Sequence, residues 1–200
     1  MISGIDLSDK NGAADWTLFG NGDVNFVFIK ASEALDSIDP MYNTNMQKAQ
    51  DYGILAGAYH WLHPNLHVGQ QAETFLNTVG NFKGMLPPVV CLETHRTNLN
   101  DMDKNVRTFI ELLESALKVK PIIYTSESYW KTYLPESDWG CEYPLWLDKP
   151  GSIWPSQMWP WAGWTFWQYS YQARLPGIAT NLGLNWFNGS VTELNNMVIQ

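Results

Sequence analysis

The feature that most constrains this chain of 200 residues is an alternation of short apolar runs with longer amphipathic stretches. A short run bounded by turn residues is the mark of a strand buried on both faces. A helix-length segment between two such runs returns the chain for parallel pairing rather than for a hairpin. An α/β class follows. The candidate strands are Ser3 to Leu7, Asn25 to Ala31, Leu55 to Trp61, Pro88 to Leu92, Pro121 to Tyr124, Pro144 to Leu147 and Thr165 to Tyr169, and seven of them suggest a barrel. Between them, Val68, Ala72, Phe75, Leu76 and Val79 fall on one helical face, as do Met102, Val106, Phe109, Ile110, Leu113 and Leu117. Asn100 is expected to cap the second helix, with Asp101 and Asp103 in its first turn, where the helix dipole favours negative charge. After about Pro135 the alternation fades into Pro- and Gly-rich loops, until an amphipathic tail at Val191 to Ile199. The barrel is therefore expected to be lopsided. With no internal repeat, low-complexity tract or linker, residues 1–200 read as one domain.

Charge narrows the partners. Lys and Arg number 12 against 20 Asp and Glu, and a net charge of −8 repels phosphate backbones, so nucleic acid is not an expected partner. No apolar run approaches the ~18 residues that span a bilayer, and no basic-then-apolar start resembles a signal peptide, so neither membrane insertion nor a built-in export signal is expected. Cys91 and Cys141 form no Cys-x-x-Cys pair, and no disulfide between them is expected. His60, His63 and His67 have a metal-like spacing, but Pro64 interrupts the helix that would align them, and no metal site is expected. The glycines and serines give no P-loop, dinucleotide fingerprint or nucleophile elbow, and no cofactor is implied. Tryptophan is the unusual residue: eight of the 11 lie from Trp139 to Trp186. Each is either a flat platform for a sugar ring or packing for a loop over the barrel end.

Parallel α/β barrels carry their reactive side chains at the C-terminal ends of the strands. Those ends hold Asp6, Lys30 with Glu33, Tyr59 with His60 and Trp61, Glu93, Tyr124, Asp148 and Gln168. Acids and aromatics converging on one rim suit glycoside cleavage, which needs a protonated carboxyl for the leaving oxygen and negative charge for the oxocarbenium-like transition state. Glu93, ending the run Pro87-Pro-Val-Val-Cys-Leu-Glu93, is the candidate acid, since partial burial would raise its pKa. The alternative is a solvated Glu opening a loop. Lys30, in register with Phe26 and Phe28, should point inward with them and needs a partner in Asp6 or Glu33.

The chain resembles glycoside hydrolase family 25, the Chalaropsis-type lysozymes, almost end to end. The matching segments are Gly4-Ile-Asp-Leu-Ser8, Phe28-Ile-Lys-Ala-Ser-Glu33, Asp39 with Tyr42 and Asn45, Gly57-Ala-Tyr-His-Trp61, Pro87 to Glu93, Pro121-Ile-Ile-Tyr-Thr-Ser126, Pro144-Leu-Trp-Leu147, Phe166-Trp-Gln-Tyr-Ser170 and Leu184-Asn-Trp-Phe-Asn-Gly189. The resemblance implies an irregular TIM-like (β/α)5(β)3 barrel. It also implies a retaining muramidase that cuts the β-1,4 bond between N-acetylmuramic acid and N-acetylglucosamine, with the peptidoglycan glycan strand as partner and no cofactor. By position it makes Glu93 the proton donor and Asp6 the acid that ends the first strand. Tyr59, Trp61, Tyr124, Trp146, Asp148, Gln168 and Lys30 become substrate-binding candidates. Such a protein would act on the bacterial cell wall as a monomer, as a phage lysin or virion component or after export by another route.

Two of the family's acids are missing. The Asp of its Asp-x-Glu signature is Cys91 here, and the Asp just before the Leu-Asn-x-Phe segment is Gly183, while Asp148 adds a carboxylate where the family has Ala. Positions 91 and 93 share a face of one strand, with backbones ~6.6 Å apart, so both should point into the site. An Asp at 91 would hold the substrate's 2-acetamido group, the internal nucleophile in the family's reaction. A neutral thiol cannot, and losing one such contact costs about 3 kcal/mol, two to three orders of magnitude in rate. Four readings of Cys91 stand open. Asp6 or Asp148 supplies the charge; the enzyme is slow; the site has lapsed into a glycan-binding module; or the cysteine was introduced by experiment, against which the parallel departures at 148 and 183 favour natural divergence.

Overall fold

The computed structural model describes residues 1–20, 22–94 and 100–200. Strand β1 (Ile2–Leu7) pairs in parallel with β2 (Phe26–Glu33), whose end carries a short antiparallel strand, β3 (Ser37–Ile38). The parallel order continues through β4 (Leu55–Trp61), β5 (Val89–Leu92), β6 (Ile122–Ser126), β7 (Leu145–Asp148) and β8 (Phe166–Ala173). Strand β9 (Leu182–Phe187) runs antiparallel between β8 and β1 and closes an eight-stranded barrel.

Helices α1 (Tyr42–Asp51), α2 (Val68–Val79), α3 (Met102–Leu117) and α4 (Glu127–Tyr133) make the crossovers from β2 to β7, and α5 (Val191–Asn196) follows β9. The described part of the β1–β2 crossover forms two 3-10 turns, Asp9–Asn11 and Trp16–Leu18, and residues 149–165 join β7 to β8 without a helix. The barrel is lopsided as the sequence suggests. All seven expected strands form. The eighth, β9, lacks a continuous apolar run because its inward positions are Gly183 and Asn185. Helix α1 escapes detection for a similar reason: its buried face is Tyr42, Asn45 and Ala49, which is only weakly apolar.

The start of α3 departs from expectation. The cap residue is Asp101, in a left-handed conformation (φ 66°) with no side-chain capping bond, rather than Asn100. Asp103 in the first turn instead accepts from Ser137 Oγ and from Trp139 Nε1 at 2.7 Å, tying the helix to the loop before β7.

Side chains alternate across the strands with period two. The outward set, including Ile5, Val27, Val90 and Ile123, packs with Phe75, Val106, Phe109 and Ile110 of the helices, while Phe26, Phe28, Val89, Ile122, Trp146 and Phe166 fill the barrel. Phe166 meets the rings of Phe26 and Phe28 edge-on at 5.2 and 5.0 Å. Those rings fit because Gly4 and Gly57 face them: a Cβ on Gly4 would lie 2.4 Å from Phe26, and one on Gly57 2.7 Å from Phe28.

The three spaced histidines have separate structural duties. His60 is buried between Ser32 Oγ (2.9 Å) and Gln71 Oε1 (3.3 Å), and burial pushes its pKa down to about 4. His63 Nε2 meets Glu33 (3.1 Å), and His67 Nδ1 accepts from Gln70 N (3.0 Å) as the cap of α2. Most of the clustered indoles pack: Trp139, Trp146, Trp161, Trp164 and Trp167 are buried, while Trp154 and Trp159 are exposed.

The small-against-large packing inside the barrel makes Gly57→Ala an overpacking change that should lower unfolding stability by about 1–3 kcal/mol. Gly163→Ala, where a Cβ meets nothing within 4 Å, is the control and should stay near the parent value in urea titrations.

Candidate active site

The C-terminal ends of the strands form a small pocket, partly open to solvent, lined by Asp6, Tyr59, Trp61, Cys91, Glu93, Tyr124, Trp146 and Gln168. Each comes from an inward position of its strand or, for Glu93, from the residue just past β5. Positions 91 and 93 do share a face, with Cys91 Sγ 3.5 Å from Glu93 Oε2.

Two of the proposed substrate-binding residues lie elsewhere. Lys30 points inward but is buried, with Nζ 2.5 Å from Glu33 Oε2 and 5.6 Å from the Trp61 ring centre. Its charge is spent on Glu33, the partner expected beside Asp6, and on supporting Trp61 rather than on lining the pocket. Asp148 sits in an adjoining groove with Glu93, Ser126, Glu127, Tyr129 and Lys149. Asp148 pairs with Ser126 and Gln168, one layer above the Tyr124–Trp146 pair. It accepts from the Tyr171 hydroxyl.

A hydrogen-bonded chain holds the pocket floor. Asp6 Oδ2 accepts from Gln168 Nε2 (2.7 Å) and from Asn185 Nδ2 (2.8 Å). Trp146 Nε1 donates to Asn185 Oδ1 (2.8 Å), and the Tyr124 hydroxyl donates to Gln168 Oε1 (2.6 Å). Asn185 is the site residue that residue-by-residue reasoning missed. The signal was present in the alternation of Leu182, Leu184 and Trp186 with Gly183, Asn185 and Phe187. Gly183 leaves room for these bonds as they stand: a Cβ would lie 1.9 Å from Asp6 Oδ2 and 2.4 Å from Gln168 Nε2, so those side-chain ends would have to shift.

Acids crowd this end of the barrel. Burial pushes the Asp6 carboxyl up, against the two amide donors that favour its ionised form. Burial, with the Glu93 and Asp6 charges, raises Asp148 to about 7. Burial and the neighbouring Glu93, Asp148 and Asp6 push the Cys91 thiol well above its ordinary range, so it is neutral. It offers a weak donor and no charge.

A barrel with acids and aromatic rings at this rim is matched by the model of "Glycosyl hydrolases family 25" over residues 5–178. The chain belongs to this family. It is 32% identical to Uncharacterized protein YegX of Escherichia coli strain K12 over 203 residues, covering 98% of this chain and 73% of that protein. It is 29% identical to Lysozyme M1 of Streptomyces globisporus over 205 residues, covering 96% of this chain and 70% of that one. Among solved structures, the bacterial lysozyme from Streptomyces coelicolor superposes with a TM-score of 0.92 at 27% identity, covering 98% of this chain and 96% of that one. The family-25 barrel is thus the fold of this chain.

Asp148 makes a pH prediction for stability. Its folded value of about 7 lies above the ~3.9 of an unfolded Asp, so the folded protein holds the extra proton across that interval. Stability should therefore fall as pH rises from ~4 to ~7. In Asp148→Asn this fall should be shallower, as read from urea midpoints across the same range.

Proposed function

We propose that this chain is a muramidase that hydrolyses the β-1,4 bond between N-acetylmuramic acid and N-acetylglucosamine in peptidoglycan, at the bacterial cell wall and in the service of phage or bacterial lysis. The observation that carries the reading is the convergence of Glu93 with Asp6 and four aromatic rings on one pocket at the C-terminal barrel end, in a family-25 chain. Relatives called lysozyme support the substrate class. Tyr59, Trp61, Tyr124 and Trp146 offer faces and hydroxyls to sugar rings.

In this reading Glu93 gives its proton to the glycosidic oxygen as the bond from that oxygen to the anomeric carbon breaks, releasing the leaving sugar as an alcohol. The carbonyl oxygen of the 2-acetamido group bonds to the anomeric carbon from the opposite face. Water then attacks that carbon as its bond to the acetamido oxygen breaks, which regenerates the 2-acetamido group, and the water loses a proton to the Glu93 carboxylate; the acid is restored and the original anomeric configuration is retained. The positive charge that develops needs a carboxylate nearby. The neutral Cys91 does not supply one, so the role falls to Asp6 in the pocket or to Asp148 in the adjoining groove, whichever has given up its proton.

The neutral thiol also supports a second reading, a module that holds the glycan strand and has lost turnover. Release of new reducing ends from purified cell walls separates the two. If the first is right, the parent is active and Glu93→Gln lowers release by about 10²–10⁴-fold. A parent at background whose Cys91→Asp variant gains steeply would favour the lapsed module. Unchanged release in Glu93→Gln would remove Glu93 from the acid role.

A further inference from the structure

The hydrogen-bonded chain on the pocket floor has a direction, and that direction bears on Glu93. Trp146 Nε1 can only donate, so the amide of Asn185 must turn its oxygen to the indole and its nitrogen to Asp6. Gln168 must likewise give its nitrogen to Asp6, because the opposite orientation would set its oxygen against the Asp6 carboxylate. Its Oε1 therefore faces Tyr124, whose hydroxyl carries a single proton. That proton goes to the acceptor at 2.6 Å, Gln168 Oε1, and not to Glu93 Oε1 at 3.4 Å. What the Tyr124 oxygen then presents to Glu93 is a lone pair. A lone pair repels a carboxylate and accepts from a carboxylic acid.

We propose that Gln168, oriented by Asp6, is a positioning residue that fixes the Tyr124 hydroxyl so that it favours the protonated form of Glu93. This deepens the muramidase reading, and only its kinetic arm rests on that reading. Burial keeps Tyr124 itself protonated. Among the described residues, the other titratable groups facing Glu93 are Cys91 on its own strand, Asp6 on β1, Tyr59 on β4, Tyr129 on α4 and Asp148 on β7. Glu127 and Lys149 share its outer groove. None of these would reverse the effect of Tyr124 when Gln168 alone is changed.

The test is the titration of the Glu93 carboxyl by carbon-13 NMR in the full chain, its signal assigned by its loss in Glu93→Gln. In Gln168→Leu the Tyr124 hydroxyl is released to donate to Glu93, and the midpoint should fall by about one pH unit. In the parent, Tyr124→Phe removes an acceptor and should lower the midpoint or leave it in place. In the Gln168→Leu background the same substitution removes a donor and should raise it. Opposite responses in the two backgrounds are the signature, and Gln168→Met replaces Gln168→Leu should the latter fail to fold. Asp6→Asn and Asp6→Leu lose the same charge, but only Leu loses the acceptor that orients Gln168, so the midpoint should lie lower in Asp6→Leu.

A Tyr124→Phe shift of one sign and size in both backgrounds would overturn the proposal. In a protein that turns over, the alkaline limb of reducing-end release against pH should move with the midpoint. An inverted response in a protein without turnover would keep the relay and remove the muramidase reading instead.

Discussion

A carboxylate sunk into the closing seam of the barrel is the constraint on which the upper half of this structure depends. Asp6 is partly buried at the pocket floor, and its Oδ2 is held by the amides of Gln168 and Asn185, each oriented in turn by an aromatic donor. A buried carboxylate is tolerated only when such donors replace the water it has lost. The absence of a side chain at Gly183 makes the room, so that glycine, the antiparallel β9 and the two amides form one solution to a single desolvation problem. The pocket wall follows from it, because Tyr124 and Trp146 take their hydrogen bonds from the same chain.

The rest of the site is an exercise in limiting negative charge. Asp6, Glu93 and Asp148 act on one another across a poorly solvated space, and the least costly arrangement is one in which some of them keep protons. A fourth carboxylate at position 91 would add to that repulsion. The cysteine there stays neutral and donates weakly to Glu93, which relieves the cluster and withdraws a charge from the substrate side. The extra acid at position 148, one layer above Trp146, moves negative charge outward from the floor to the adjoining groove.

Much of this was legible in the chain. Seven strands could be read because apolar runs flanked by turn residues survive burial on both faces, and the pocket residues because each ends such a run. Where the inside of the barrel is polar, that signal vanishes. Strand β9, with Gly183 and Asn185 facing inward, carries half of the Asp6 binding site and looks like loop in a hydrophobicity pattern. Lys30 was readable further: its inward direction follows from Phe26 and Phe28, and Glu33 was one of its two expected partners, while the bulge between Lys30 and Ser32 is a detail that strand periodicity does not foresee. Asp101 at the start of α3 adopts a left-handed backbone that composition alone would not place one residue past Asn100.

The bonds that anchor Asp6 span 162 and 179 residues of chain. Loop closure over such lengths is entropically costly and comes late in folding. During synthesis, Asp6 must wait until residues 168 and 185 have left the ribosome before its partners exist. A nascent chain that stops short of β9 lacks the Asn185 donor, and with it the assembled floor.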